Sequence, residues 1–140
     1  MPAKASADWN GDLKTGHGSF VAGPTISGQV TYKSRFEDGE GANPEQLIAA
    51  AHASCFSMAL SAALANAGTP VDSVKTDATV TLRNVDGQAT LTAIELSTVG
   101  VVPGLSQDAF DRAAQDAKVN CPISRALASV PEITVHASLA

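Results

Sequence analysis

The chain has 140 residues, a formal net charge of −5 and a hydrophobic fraction of 44%. The length predicts a single domain over residues 1–140, and the hydrophobic fraction argues against a disordered chain. Lys and Arg number 9 against 14 Asp and Glu. This acidic balance disfavours a nucleic-acid partner, because contact with phosphates needs clustered positive charge.

The first residues, MPAKASADWNGDLKTG, contain no apolar run of the kind found in secretory signals. The longest apolar stretch, residues 47–67, includes His52 and several serines, so we expect it to be too polar to span a membrane. These features predict a cytoplasmic protein without a membrane partner. In a reducing cytoplasm the two cysteines, Cys55 and Cys121, are not expected to form a structural disulfide.

Metal binding is not expected, because zinc needs about four ligands that usually stand at short spacings. The three histidines are scattered along the chain, and no Cys-x-x-Cys motif is present.

Glycines divide the first part of the chain into three predicted strands, residues 5–11, 16–22 and 26–34. Residues 35–43 then form a predicted loop, which contains two glycines and three acidic residues.

A long helix is predicted from Asn43, which caps it, to about Ala67. Pro44 suits the first helical position, and Gly68 stands just past the end. Apolar residues surround most of this helix, so we expect it to be buried in the core. The predicted inward face comprises Leu47, Ile48, Ala51, Cys55, Met58, Ala59 and Ala62.

The second half of the chain begins with a predicted hairpin. Residues 74–84 alternate apolar and polar side chains, 85–88 form a turn, and the return strand runs over 89–102. Along the return strand, the apolar side chains change from odd-numbered to even-numbered positions between Leu91 and Ile94, which indicates a β-bulge.

Ser106 caps a second predicted helix over residues 107–119, which Asn120-Cys121-Pro122 interrupts. Its inner face comprises Phe110, Ala113, Ala114 and Ala117. A turn over 123–129 and a strand from Ile133 to Leu139 complete the chain. The elements predict an α+β fold of order βββ-α-ββ-α-β, with antiparallel sheet wrapped around the long buried helix.

Four residues are candidates for chemistry, and each also has an ordinary structural explanation. Cys55 on a core-facing helix is either a small inert hydrophobe or a reactive thiol. Cys121 precedes Pro122 at a helix start, where backbone N–H groups lower a thiol pKa, but it is equally a plain loop cysteine.

Arg35 is either a solvated surface charge or the cation that stabilises a thiolate. Glu45 either orients that guanidinium or only compensates the helix dipole. His52 lies three residues before Cys55 and is left outside the site as a packing residue.

Taken together, four segments resemble the family of osmotically inducible protein C and the organic hydroperoxide resistance proteins, the OsmC/Ohr family. They are Ser34–Gly39, Asn43–Leu47, Ala50–Leu60 and Asn120–Ser124. The position of Arg35 just before the long helix, and Ile123 in place of an aromatic residue, are similar to the OsmC branch rather than the Ohr branch.

The resemblance implies an OsmC-like fold, a tightly intertwined homodimer, and no metal or other cofactor. It also implies a cysteine peroxidase that acts on organic hydroperoxides and more weakly on hydrogen peroxide, in oxidative or osmotic stress defence. By the same resemblance, Cys55 is the peroxidatic cysteine, Cys121 the resolving cysteine, and Arg35 with Glu45 the activating pair.

In such a cycle the thiolate attacks the peroxide, a Cys55 sulfenic acid forms, and Cys121 condenses with it to a disulfide. An external thiol, for which a dithiol or a lipoyl protein is a candidate, reduces that disulfide. The alternative is a non-enzymatic, stress-induced ligand-binding or structural dimer with incidental cysteines.

The position of Glu45 predicts that the active site is shared between chains. Ten residues along a straight helix amount to about 15 Å and place Glu45 roughly 80° away from Cys55 in azimuth. A glutamate cannot cover that distance. Either Arg35 bridges the gap within one chain, or the partner chain supplies Arg35 or Glu45; we favour the second arrangement.

Overall fold

In the computed structural model, which describes residues 1–140, the first three strands form one antiparallel sheet of order β1-β2-β3. These strands are β1 (Ala5–Asn10), β2 (His17–Ala22) and β3 (Ile26–Thr31). The three predicted strands are confirmed, but the third ends at Thr31, earlier than expected. The chain divides into two compact units, residues 1–46 and 47–140, and the sheet belongs to the first.

A short helix, α1 (Tyr32–Phe36), follows β3 where a strand end and a loop were expected. Thr31 and Ser34 form a capping box: the Ser34 N–H donates to the Thr31 hydroxyl over 3.0 Å, and the Thr31 N–H donates to the Ser34 hydroxyl over 2.9 Å. The expectation for residues 32–36 is therefore wrong, and Arg35 lies on a helix.

Helix α2 (Pro44–Asn66) has the predicted bounds to within one residue. Asn43 accepts a hydrogen bond from the Gln46 N–H over 2.8 Å, which confirms the predicted cap. At the other end, Gly68 has a φ of 85° and Thr69 donates to the Leu64 carbonyl over 2.9 Å. This is a Schellman ending, and it requires a residue that tolerates positive φ.

In the second unit, α2 buries a stripe of large side chains spaced four residues apart. The stripe comprises His52, Phe56, Leu60 and Leu64. The predicted inward face is largely wrong: Met58 is 73% exposed and Leu47 is 37% exposed. Because α2 is apolar nearly all round, periodicity could not select the buried side.

By length and composition, α2 is apolar enough to cross a membrane, contrary to the expectation that its serines and His52 make it too polar. The core helix of a soluble protein meets the same criteria.

The second sheet has the order β4-β5-β6. Its strands are β4 (Ser73–Val85), β5 (Gln88–Val101) and β6 (Glu132–Leu139). The turn at Asp86-Gly87 has positive φ at both residues, and the predicted bulge lies where the register shifts opposite Thr81 and Leu82. Strand β6 pairs parallel with β5, so the expectation of a wholly antiparallel sheet is wrong.

Helices α3 (Gln107–Asn120) and α4 (Pro122–Ala126) lie between β5 and β6. Ser106 caps α3 as predicted, but residues 122–126 form a helix rather than a turn. The long connection through two helices makes the parallel pairing possible. Phe110 of α3 packs directly on Gly100 of β5, where an added Cβ would lie 2.5 Å from the ring.

Candidate active site

The two cysteines lie together in the second unit, as the resemblance implies. Cys55 is on α2 and partly exposed, whereas Cys121 is fully buried where α3 ends and α4 begins. Both are free thiols, and they lie near enough for each to influence the pKa of the other. The Cys121 N–H donates to Ala117 over 2.9 Å and its carbonyl accepts from Arg125 over 3.0 Å. These backbone bonds fix Cys121 between the two helices.

The two thiols differ in acidity. Burial raises the pKa of Cys55, and its hydrogen bond with Cys121 raises that pKa further. Burial also acts to raise the pKa of Cys121, but the Cys55 thiol and groups of Ser124 and Ile123 outweigh it and leave this pKa below the usual value. The Cys121 side chain does not make a close capping bond at the start of α4, so the backbone N–H groups act on it as nearby dipoles.

Arg35 and Glu45 form an ion pair in the first unit, as the sequence predicts. Arg35 Nη2 donates to Glu45 Oε1 over 2.7 Å, and Nε donates to the two carboxylate oxygens over 3.2 and 3.3 Å. Glu45 is 8% exposed, while the Arg35 side chain is 33% exposed. The carboxylate therefore holds the guanidinium in one orientation and leaves part of it accessible.

Hydrogen bonds between α1 and the start of α2 hold this ion pair in place. The Ser34 hydroxyl donates to the Ala42 carbonyl over 2.8 Å, and the Asn43 amide donates to the Ser34 carbonyl over 3.1 Å. The two helix starts that carry Arg35 and Glu45 are thus connected within the first unit.

An apolar cleft of about 370 Å³ lies beside Arg35 in the same unit. Its walls include Trp9, Leu13, Val30, Tyr32 and Phe36. The Phe36 ring lies 4.9 Å from the Tyr32 ring and 5.2 Å from the Arg35 guanidinium carbon, a cation–π distance. Sequence reasoning missed this cleft, because its residues come from β1, the loop after it, β3 and the unexpected helix α1.

His52, which sequence reasoning left outside the site, is fully buried in the second unit. Its Nε2 lies 2.6 Å from the Ser124 hydroxyl, and Ser124 in turn contributes to the environment of Cys121. His52 and Ser124 are 72 positions apart, so no local pattern could have indicated their contact. The structure therefore groups Cys55 with Cys121 in one unit and Arg35 with Glu45 in the other.

No group of three or more His, Cys, Asp or Glu side chains is arranged to hold a metal ion. The polar groups described above are thiols, one ion pair and one buried histidine–serine contact. Such a set can support thiol chemistry without further ligands.

Comparison with known proteins relates this site to a family. Residues 37–136 match the model of the OsmC-like protein family. The chain is 43% identical over 138 residues to peroxiredoxin OsmC of Escherichia coli K12, covering 97% of this chain and 95% of that protein. The Shigella flexneri peroxiredoxin OsmC matches to the same extent.

Solved structures share the fold. The organic hydroperoxide resistance protein OhrB of Bacillus subtilis aligns with a TM-score of 0.75 at 24% identity, covering 100% of this chain and 98% of that one. An organic hydroperoxide resistance protein OsmC from Legionella pneumophila aligns with a TM-score of 0.72 at 22% identity, covering 98% and 96%. The α+β architecture predicted from the resemblance is confirmed.

With a family model spanning most of the chain and a peroxiredoxin 43% identical over nearly all of it, the chain belongs to the OsmC-like family and is a thiol-dependent peroxidase.

Proposed function

We propose that the protein reduces organic hydroperoxides, and more weakly hydrogen peroxide, to alcohols or water through Cys55 and Cys121. The Cys55 thiolate attacks the distal peroxide oxygen; the O–O bond breaks, the alkoxide takes a proton and leaves as alcohol, and Cys55 becomes a sulfenic acid. Cys121 then condenses with it, releasing water and forming a disulfide. Two equivalents of an external thiol reduce that disulfide and are themselves oxidised to a disulfide.

The observation that carries this proposal is the pairing of one partly exposed and one buried free thiol, near enough for each to influence the pKa of the other. A hydroperoxide can reach Cys55, whereas Cys121, at 0% exposure, is protected from it. Because the resolving thiol lies near the peroxidatic thiol, condensation is favoured over further oxidation of the sulfenic acid.

In this proposal Arg35 supplies the positive charge that Cys55 needs. Burial raises the pKa of Cys55, and a thiol with a raised pKa is a poor nucleophile at neutral pH. A guanidinium stabilises a thiolate and can donate to a peroxide oxygen. Glu45 is its orienting partner, and we propose that Arg35 and Glu45 serve Cys55 of a partner chain in a homodimer.

The preference for organic hydroperoxides rests on the apolar cleft beside Arg35. Its aromatic walls suit an alkyl or aryl group, which gains about 0.8 kcal/mol for each buried methylene. Hydrogen peroxide has no such group. The proposal further includes a cytoplasmic location, a dithiol or lipoyl protein as reductant, and no metal or other cofactor.

Thiol counting tests this function. Reduced protein is mixed with cumene hydroperoxide, and free thiols and disulfides are measured over minutes. We expect the loss of two thiols per chain with one new intrachain disulfide, and slower loss with hydrogen peroxide. Retention of both thiols would favour the alternative, a non-enzymatic dimer with incidental cysteines.

A further inference from the structure

His52 and Ser124 form a buried polar contact that the proposed peroxide chemistry does not use. His52 is 0% exposed and Ser124 is 6% exposed. Their side chains, His52 Nε2 and Ser124 Oγ, lie 2.6 Å apart. Burying such a pair in a protein interior costs free energy unless its hydrogen bonds are satisfied. The direction of the hydrogen bond between the two side chains can therefore be deduced from their partners.

The other ring nitrogen of His52 identifies the tautomer. His52 Nδ1 is buried and has no hydrogen-bond partner. A proton on Nδ1 would leave a buried N–H without an acceptor, which folded proteins rarely tolerate. We therefore place the proton on Nε2, which donates to the Ser124 oxygen and leaves Nδ1 as a bare acceptor.

The tautomer sets the direction of the next hydrogen bond. Because the Ser124 oxygen accepts from His52, its own proton is free to point away from the ring. Ser124 is the third residue of α4 and Cys121 is its N-cap residue, two positions whose side chains meet at a helix start. There the Ser124 hydroxyl favours the charged form of Cys121 and helps to lower its pKa, as a donor to sulfur does. Burial lowers the pKa of His52, so the ring stays neutral and keeps this direction.

We infer that His52 is a positioning residue for Cys121: through Ser124 it directs a hydroxyl proton at the Cys121 sulfur and so prepares this thiol to resolve the Cys55 sulfenic acid. The inference rests on the proposed disulfide route.

In the resolving step the S–S bond forms and the S–O bond of the sulfenic acid breaks. The Cys121 electron pair reduces the Cys55 sulfur as Cys121 is oxidised, and the Cys121 proton leaves with the hydroxyl as water. The Ser124 donor stabilises the negative charge that develops on Cys121 while its proton departs.

The hydrogen bonds from His52 through Ser124 to Cys121, which we call the relay, can be tested by a titration that needs no peroxide. In a Cys55→Ser background, Cys121 is the single thiol, so ultraviolet thiolate absorbance against pH reports it alone. We expect Ser124→Ala to lower the thiolate fraction about tenfold at a pH below the pKa, the effect of about one charge-assisted hydrogen bond. His52→Leu shifts the titration in the same direction by a smaller factor, and His52→Gln, which keeps an N–H donor, restores it in part.

Ser57→Ala is the matched control, because Ser57 lies on α2 like His52 but donates to Thr76 over 2.7 Å, which takes no part in the relay. It should leave the titration unchanged. Thermal melts identify variants that fail to fold. If His52→Leu does not fold, Ser124→Ala still tests the relay, because it removes only one hydroxyl group. An unshifted Cys121 titration in Ser124→Ala or in folded His52→Leu overturns the relay.

A second measurement separates this inference from the proposed function. After a pulse of cumene hydroperoxide, mass spectrometry compares disulfide with Cys55 sulfinic acid in the chain that has both cysteines. We expect wild type to yield mainly disulfide, and His52→Leu to yield several-fold more sulfinic acid at an unchanged rate of Cys55 oxidation. Wild type that consumes peroxide without a disulfide overturns the disulfide route, whereas equal yields in the two proteins overturn the role of His52 alone.

Discussion

Cys55 and Cys121 differ in exposure to solvent and in acidity, and each difference favours a different cysteine as the one that attacks the peroxide. The exposure of Cys55 favours it as the attacking thiol, whereas the lowered pKa of Cys121 makes that buried thiol the more easily ionised one. Access takes precedence, because a thiolate that no hydroperoxide reaches cannot attack.

Cys55→Ser should therefore abolish peroxide consumption. Cys121→Ser should allow one reaction per chain and then stall or over-oxidise at Cys55. Peroxide consumption and the mass of each chain measure both outcomes. If Cys55→Ser turns over once and Cys121→Ser is inert, the two roles are reversed.

Arg35→Ala is expected to raise the pKa of Cys55 beyond the increase that burial already causes. A thiolate reacts and a thiol does not, so the rate rises with pH up to this pKa, and the rise should move to higher pH in the variant. Stopped-flow oxidation rates against pH measure it. Arg83→Ala is the control, since Arg83 is exposed on β4; identical profiles for Arg35→Ala and wild type would remove Arg35 from the site.

His52 should make the folded chain sensitive to acid. Burial lowers its pKa below the ordinary value of 6.5, so the unfolded state binds a proton that the folded state rejects. Stability is then fullest above about pH 6.5 and declines as the pH falls from there towards the lowered folded-state pKa. Melting temperatures across this range should decline less in His52→Gln than in wild type, with His136→Gln as an exposed control.

At the scale of single residues, the sequence identified both pairs that the structure forms, Cys55 with Cys121 and Arg35 with Glu45. It could not identify the contact of His52 with Ser124 or the cleft beside Arg35. These depend on tertiary packing between segments that are far apart in the chain.

Among the elements, helix α1 carries Arg35 but has only a short local signal, the Thr31–Ser34 capping box. Thr31→Val should remove that cap, lower the free energy of unfolding by about 1 kcal/mol and loosen the orientation of Arg35. Denaturant unfolding and peroxidase rate measure the two effects. Thr79→Val, an exposed position on β4, should change neither. A Thr31→Val chain with unaltered stability would show that the capping box contributes nothing.

The bounds of α2 could be predicted because Asn43, Pro44 and Gly68 are strong local signals. The buried side of α2 could not, because small apolar residues surround it. Likewise the alternation in Ile133–Leu139 predicts a strand but not its direction, and β6 pairs parallel with β5 because two helices connect them.

At the scale of the whole molecule, a shared active site stays a prediction, as does the single domain over residues 1–140. A chain with Cys55→Ser is co-expressed with one carrying Arg35→Ala and Glu45→Ala, and the mixed dimer is purified. If partner chains share sites, one of its two sites regains all groups, and about half of the wild-type activity per dimer returns. A mixed dimer as inactive as either parent would mean that each site is built within one chain.

The complete burial of Cys121 also bears on how the oxidised enzyme is recycled. A reductant that approaches the proposed disulfide can reach the Cys55 sulfur and not the buried one. The mixed disulfide then forms on Cys55, and Cys121 departs as the leaving group. A thiol of lowered pKa leaves faster, so the groups that acidify Cys121 serve regeneration as well as oxidation. Because the Cys121 sulfur is buried, both the attack on peroxide and the attack by the reductant take place at the same atom, Cys55 Sγ.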